Sequence, residues 1–136
     1  MGLYKNILVT IDCSNVDDVV IDHIIQLAKI HESHVNLLHV VHSHTLDQNQ
    51  FLNERSQKYL GKYKERFNKE KINVNIITRS GEPEKEIIKE IEENSYDLIA
   101  MATHGHQYFM DFIYGSVSET LKHKTSIPIL LIKGNL

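Results

Sequence analysis

Tryptophan is absent, prolines stand only at positions 83 and 128, and Cys13 is the single thiol. One cysteine excludes an intrachain disulfide framework and fits a reducing compartment. No apolar run approaches the roughly 20 residues of a membrane-spanning helix. The opening Met1-Gly2-Leu3-Tyr4-Lys5 holds no apolar stretch long enough for a signal peptide. Gly2 begins a myristoylation pattern, but Asn6 stands where that pattern wants Ser or Thr. The expected location is therefore cytoplasmic. Charge of one sign is also scarce: the net charge is −3, with a pI near 6.3. There is thus no electrostatic case for a nucleic-acid binder or for attachment to an acidic membrane. No low-complexity segment, internal repeat or linker divides the 136 residues, so one domain over residues 1–136 is expected, long enough to bury its own core.

What the chain does contain is an alternation of strand and helix signals. Lys5–Ile11 is a short β-rich run that ends in the turn and cap residues Asp12-Cys13-Ser14-Asn15. Val16–His31 reads as a helix, with Val20, Ile24, Leu27 and Ala28 at helical spacing and Asp17 and Asp18 in its first turn. His34–Val41 is a second strand, and the polar stretch His42–Gln50 reads as a loop. A second helix is expected over Phe51–Lys69, with Leu52, Tyr59, Leu60, Tyr63 and Phe67 on one side as core, and with Gly61 weakening it by roughly 1 kcal/mol relative to alanine. Ile72–Thr78 alternates strictly over most of its length, the mark of a half-exposed strand at a sheet edge. After Ser80-Gly81-Glu82-Pro83 a helix runs to about Asn94, with Ile87, Ile88 and Ile91 inward and its lysines and glutamates outward. Such alternation means a parallel sheet covered by helices on both faces, with ligands bound outside the carboxyl ends of the strands.

The last third is the most informative. Leu98-Ile99-Ala100-Met101-Ala102 is an apolar run that stops at Thr103-His104-Gly105. Gly115-Ser116 then opens an amphipathic helix, and Ile127–Ile132 is a final apolar run. Glycine at the mouth of a buried strand lets backbone N–H groups approach an anion, and a Gly-Ser pair at a helix start adds a hydroxyl and free N–H groups. On the residues alone, Asp12 also reads as a helix cap and the glycines as turn formers.

These residues give the chain its resemblance to the universal stress protein family. It runs from Asn6-Ile7-Leu8-Val9-Thr10-Ile11-Asp12 to Ile127-Pro128-Ile129-Leu130-Leu131-Ile132, with Leu38-His39-Val40, Gly81-Glu82-Pro83 and Asp97-Leu98-Ile99 as landmarks. The resemblance implies an α/β, flavodoxin-like (Rossmann-like) three-layer sandwich with five parallel strands in the order 3-2-1-4-5. The ATP-binding branch carries Gly-x2-Gly-x9-Gly-Ser/Thr, which here reads Ala102-Thr103-His104-Gly105, nine residues, then Gly115-Ser116. Carried over, the resemblance implies ATP, with Mg²⁺ or Mn²⁺ if it is bound. Asp12 would hold the ribose hydroxyls, Thr10 and Ile11 would line the base pocket, and Val40 would meet adenine. Met101, Ala102, His104 and Gly105 would frame the phosphate loop, and Gly115, Ser116 and Val117 would close on the phosphates.

The chain departs from that pattern twice. Ala102 replaces the first glycine, a change that is tolerated at negative φ and costs ~1 kcal/mol at positive φ. His106-Gln107-Tyr108-Phe109 stands where ATP-binding relatives often carry a basic residue followed by small ones. The resemblance implies a stress-response sensor or regulator; the alternative is a non-nucleotide-binding member that acts as a protein-interaction module. No catalytic residue is assigned. The chain has no G-x-S-x-G elbow, no G-x-x-x-x-G-K-[ST] loop and no SGGxDS-type loop, so ATP hydrolysis would be very slow at most.

Nine histidines are present; His39, His42 and His44 cluster around the end of strand two, with His39 inside it, and His104 and His106 follow strand four, at the same end of the sheet. Imidazole is a common metal ligand, but no cysteine or paired carboxylate completes a familiar set, and no metal site is expected. Cys13 beside Asp12 reads as a small loop residue, since a neighbouring carboxylate raises a thiol's pKa. The apolar last strand, placed at an edge by the family's strand order, is expected to pair across a two-fold axis in a homodimer. A further protein partner is expected but not named by the residues.

Overall fold

In the computed structural model, which describes residues 2–11, 17–41, 46–102 and 117–133, the β-branched and leucine-rich runs lie side by side. They form β1 (Asn6–Thr10), β2 (His34–Val41), β3 (Val74–Ser80), β4 (Leu98–Ala102) and β5 (Ile129–Ile132). Every pairing is parallel and the order is β3-β2-β1-β4-β5, as the resemblance implies. β1 and β4 are almost wholly buried, because a parallel sheet is covered on both faces by its crossover helices.

Alternation along β1 sorts its residues between two cores. Ile7 and Val9 pack with Val20, Ile21 and Ile24 of α1 (Asp17–His31) and Leu60, Tyr63 and Phe67 of α2 (Leu46–Lys69). Leu8 packs on the other face with Ile87 of α3 (Pro83–Glu93) and with Val117 and Leu121 of α4, helical over the described residues 117–124. No described helix is long and apolar enough to cross a membrane.

The observed elements differ from the expected ones at several ends. α2 begins at Leu46, five residues ahead of Phe51. Polarity marks Leu46-Asp47-Gln48-Asn49-Gln50 as loop, yet a first turn needs no apolar residue, and an aspartate there suits the positive end of the helix. β3 lies two residues further on than expected. Lys71 takes a positive φ of 61°, and the Ile72 N–H still donates to the Phe67 carbonyl at 3.0 Å, so this stretch wraps up α2. At its far end β3 continues because the long β2 offers His39, Val40 and Val41 as partners for Thr78, Arg79 and Ser80. β5 is shorter than Ile127–Ile132, since Pro128 has no N–H to give.

Gly61 lies in the interior of α2 on the solvent side, and a Cβ there would meet no heavy atom within 4 Å. Gly61→Ala is therefore expected to stabilise the protein by about 1 kcal/mol. A higher urea midpoint at unchanged slope would show it, and an unchanged midpoint would mean that the helix is not strained by glycine there.

Candidate functional site

β1 and β4 are neighbours, but the helices associated with them lie on opposite faces: α1 follows β1 on one side and α4 follows β4 on the other. This is a topological switch point, where an open α/β sheet leaves a crevice at its carboxyl edge. Thr10 is the last residue of β1, next to Leu38 in register, and alternation puts it on the face of Leu8. Val40, Met101 and Val117 belong to that same face. Four elements therefore bring Thr10, Val40, Met101 and Val117 together.

Thr10 is buried, and its hydroxyl has no hydrogen-bond partner among the described residues, a condition that costs about 1–3 kcal/mol. Ile11 is placed differently. Its side chain is fully buried in the α1/α2 core, its N–H donates to the Leu38 carbonyl at 2.8 Å, and its carbonyl lies 2.7 Å from His39 Nδ1. A carbonyl only accepts, so His39 carries a proton on Nδ1. Ala102 also packs on the α1/α2 side. It pairs with Ile132 in the strand ladder. Among the described non-glycine residues only Glu32 and Lys71 have positive φ, so alanine takes the first glycine position without backbone strain. Asp12, His104, Gly105, Gly115 and Ser116 lie outside the described residues, as do Cys13, His42, His44 and His106. Among the described residues no three His, Cys, Asp or Glu side chains gather as metal ligands would.

A polar network near this edge has no counterpart in the sequence reading. Arg79 of β3 sits opposite Val40 and donates through Nε and Nη2 to Glu90 Oε1, at 3.1 and 2.9 Å. It also reaches Glu93 Oε2 at 2.8 Å and Glu86 Oε1 at 3.4 Å. The Tyr96 hydroxyl and the Asn94 amide donate to Glu90 Oε2 at 2.6 and 2.8 Å. Hydrogen bonding to Glu93, then to Glu90, holds the Arg79 guanidinium above its ordinary pKa against the opposing effect of burial. Burial, reinforced by Glu90, pushes the Tyr96 phenol well above its usual range. Glu90, expected to face outward with the other glutamates of α3, is thus only 4% exposed. The spacing of Glu86, Glu90 and Glu93 is the signal that could have found it, because i, i+4 and i+7 share a helix face. Gly81 makes the turn before α3 at φ 140°, where a Cβ would come within 3.1 Å of Glu86.

The model of the universal stress protein family matches residues 3–133. The chain belongs to the universal stress protein family. Universal stress protein MJ0577 of Methanocaldococcus jannaschii is 24% identical over 155 residues, covering 96% of each chain. The solved structure of MJ0577 superposes with a TM-score of 0.82 at 26% identity, over 98% of this chain and 99% of that one. YxiE, a universal stress protein of Bacillus subtilis, is 24% identical over 148 residues, covering 96% of this chain and all of YxiE. A universal stress protein of Archaeoglobus fulgidus, solved in complex with dAMP, shares the fold at a TM-score of 0.71 and 18% identity, over 96% of this chain and 99% of that one. Within this universal stress protein, the Ala102, Gly105 and Gly115-Ser116 spacing starts at the end of β4 and continues outside the described residues.

Proposed function

We propose that this universal stress protein binds an adenine nucleotide, ATP or a close relative, at the carboxyl ends of β1, β2 and β4. It acts as a cytoplasmic sensor or regulator and not as a catalyst. The observation that carries this reading is the convergence of Thr10, Val40, Met101 and Val117 at the switch point. Apolar walls with a few polar groups suit a flat base. Asp12, Gly105, Gly115 and Ser116 take the ribose and phosphates by resemblance, and Mg²⁺ or Mn²⁺ would accompany a bound triphosphate. The strain-free placement of Ala102 supports the same reading. Other proteins of this fold have been solved with dAMP and with cAMP. At their 18% and 14% identity the likeness is one of fold, so the nucleotide class rests here on this chain's residues.

The same reading makes the protein a homodimer through β5. That strand lies at the sheet edge with Ile129 and Leu130 half-buried and Leu131 exposed, an apolar edge that a second copy would cover. Neither nucleic acid nor membrane is among its partners, and regulation would pass to a further protein.

Calorimetric titration of nucleotide-stripped protein with ATP and Mg²⁺, AMP and GTP is the direct test. Saturable binding that prefers adenine is expected, and Gly105→Val should weaken it roughly tenfold to a hundredfold. That is what 1.5–3 kcal/mol of lost charge-assisted hydrogen bonding amounts to. No binding at millimolar nucleotide would assign the protein to the interaction modules.

A further inference from the structure

The Thr10 hydroxyl is a polar group that no described residue uses. Thr10 is 4% exposed, and its Oγ1 has no hydrogen-bond partner among the described residues. Its place in the sheet explains why. It lies beside Leu38 on β2 and one residue past the Val9–Ala100 pair with β4, on the apolar face that holds Leu8, Val40, Met101 and Val117. None of those side chains can donate, and only the Met101 thioether can accept, weakly. Valine has the same shape and would leave no unpaired hydroxyl there, so among the described residues nothing makes use of the oxygen.

A ligand that meets it has to suit the surroundings. An apolar setting disfavours a phosphate and favours the face of a ring. Such walls hold a ring without fixing which edge points where, whereas one hydroxyl, able both to donate and to accept, fixes it. Resting on the nucleotide reading above, we propose that Thr10 is a specificity-determining residue whose hydroxyl hydrogen-bonds a polar atom on the edge of the bound purine. A ligand with a C–H at that position leaves the hydroxyl unpaired and is discriminated against.

The experiment measures the affinities of AMP and of its 1-deaza, 3-deaza, 7-deaza and 6-desamino analogues by calorimetry. The proteins are the wild type, Thr10→Val and Thr10→Ser, with urea unfolding of each in the absence of ligand. The wild type should bind one analogue roughly tenfold more weakly than AMP. Thr10→Val should bind AMP weaker by a similar factor, no longer distinguish that analogue, and be at least as stable as the wild type. Thr10→Ser should keep the discrimination.

Undiminished AMP affinity in Thr10→Val overturns the proposal, as do equal analogue penalties in both proteins. A Thr10→Val protein that is less stable and binds every analogue more weakly to the same degree gives the hydroxyl a structural role and overturns it too. A wild type that binds no adenine nucleotide overturns the nucleotide reading itself and takes this role with it, a pattern distinct from the others.

Discussion

Replacing Arg79 with methionine should destabilise the protein by about 3–5 kcal/mol, the cost of removing one partner from a buried ion pair. The side chain of Glu90 is 5% exposed and that of Glu86 14%, so methionine would leave these carboxylates facing one another with little water between them. Glu90 would keep the Tyr96 hydroxyl and the Asn94 amide, but neither carries charge. The double replacement Arg79→Met with Glu90→Leu should recover a large part of the loss, because a pair removed together leaves no orphaned charge. Urea unfolding of the wild type, both single variants and the double variant completes the cycle. An Arg79→Met protein within 1 kcal/mol of the wild type would mean that water replaces the guanidinium, and that the network is not buried in the energetic sense.

Leu131→Glu should convert the dimer proposed through β5 to monomer, raising its dissociation constant by roughly a hundredfold or more. That corresponds to about 3 kcal/mol, within the range for a charge buried at an interface without a partner. Leu131 is the exposed residue of β5 at 41%, and a two-fold axis along this edge would bring the two copies' glutamates close together. Leu3→Glu is the matched control. Leu3 is more exposed still, at 73%, but precedes β1, which β4 separates from the β5 edge. Sedimentation of both variants decides the matter: loss of the dimer in both would reflect general charge repulsion, and a monomeric wild type would remove the β5 interface altogether.

The sheet was legible because its signal is local. Ile7-Leu8-Val9, Val35 through Val41 and Leu98 through Ala102 are runs that only a buried parallel strand explains, and β2 and β4 have the ends their residues indicate. The errors fall where a neighbour decides. β3 runs on to Ser80 because β2 is there to pair with it, and Glu90 turns inward because Arg79 waits on a strand eleven residues back in the chain. A helical wheel of α3 shows the glutamate stripe but not the cation that it faces. In the candidate site, Thr10, Val40, Met101 and Val117 were named from the sequence and do come together. Ile11, named with them, sends its side chain to the opposite core, because adjacent strand residues face opposite ways. The unpaired state of the Thr10 hydroxyl has no sequence signal at all, since it depends on what every surrounding residue fails to offer.

The two helical layers differ in the large side chains that their described residues bury. Among the described residues, the α1/α2 layer seals its side of the sheet with Tyr63, Phe67, Ile21, Ile24 and Leu60, all fully or almost fully buried. The α3/α4 side relies on fewer and smaller anchors, chiefly Ile87, Val117 and Leu121, with Ile88 and Ile91 only partly covered. Sub-global opening follows the layer with fewer buried apolar contacts, so backbone amides of α3 and α4 are expected to exchange with solvent faster than those of α1 and α2. Thr10 and Met101 lie beneath that thinner layer. A ligand seated there would hold it shut by mass action, and binding would register as slowed amide exchange confined to one side of the sheet.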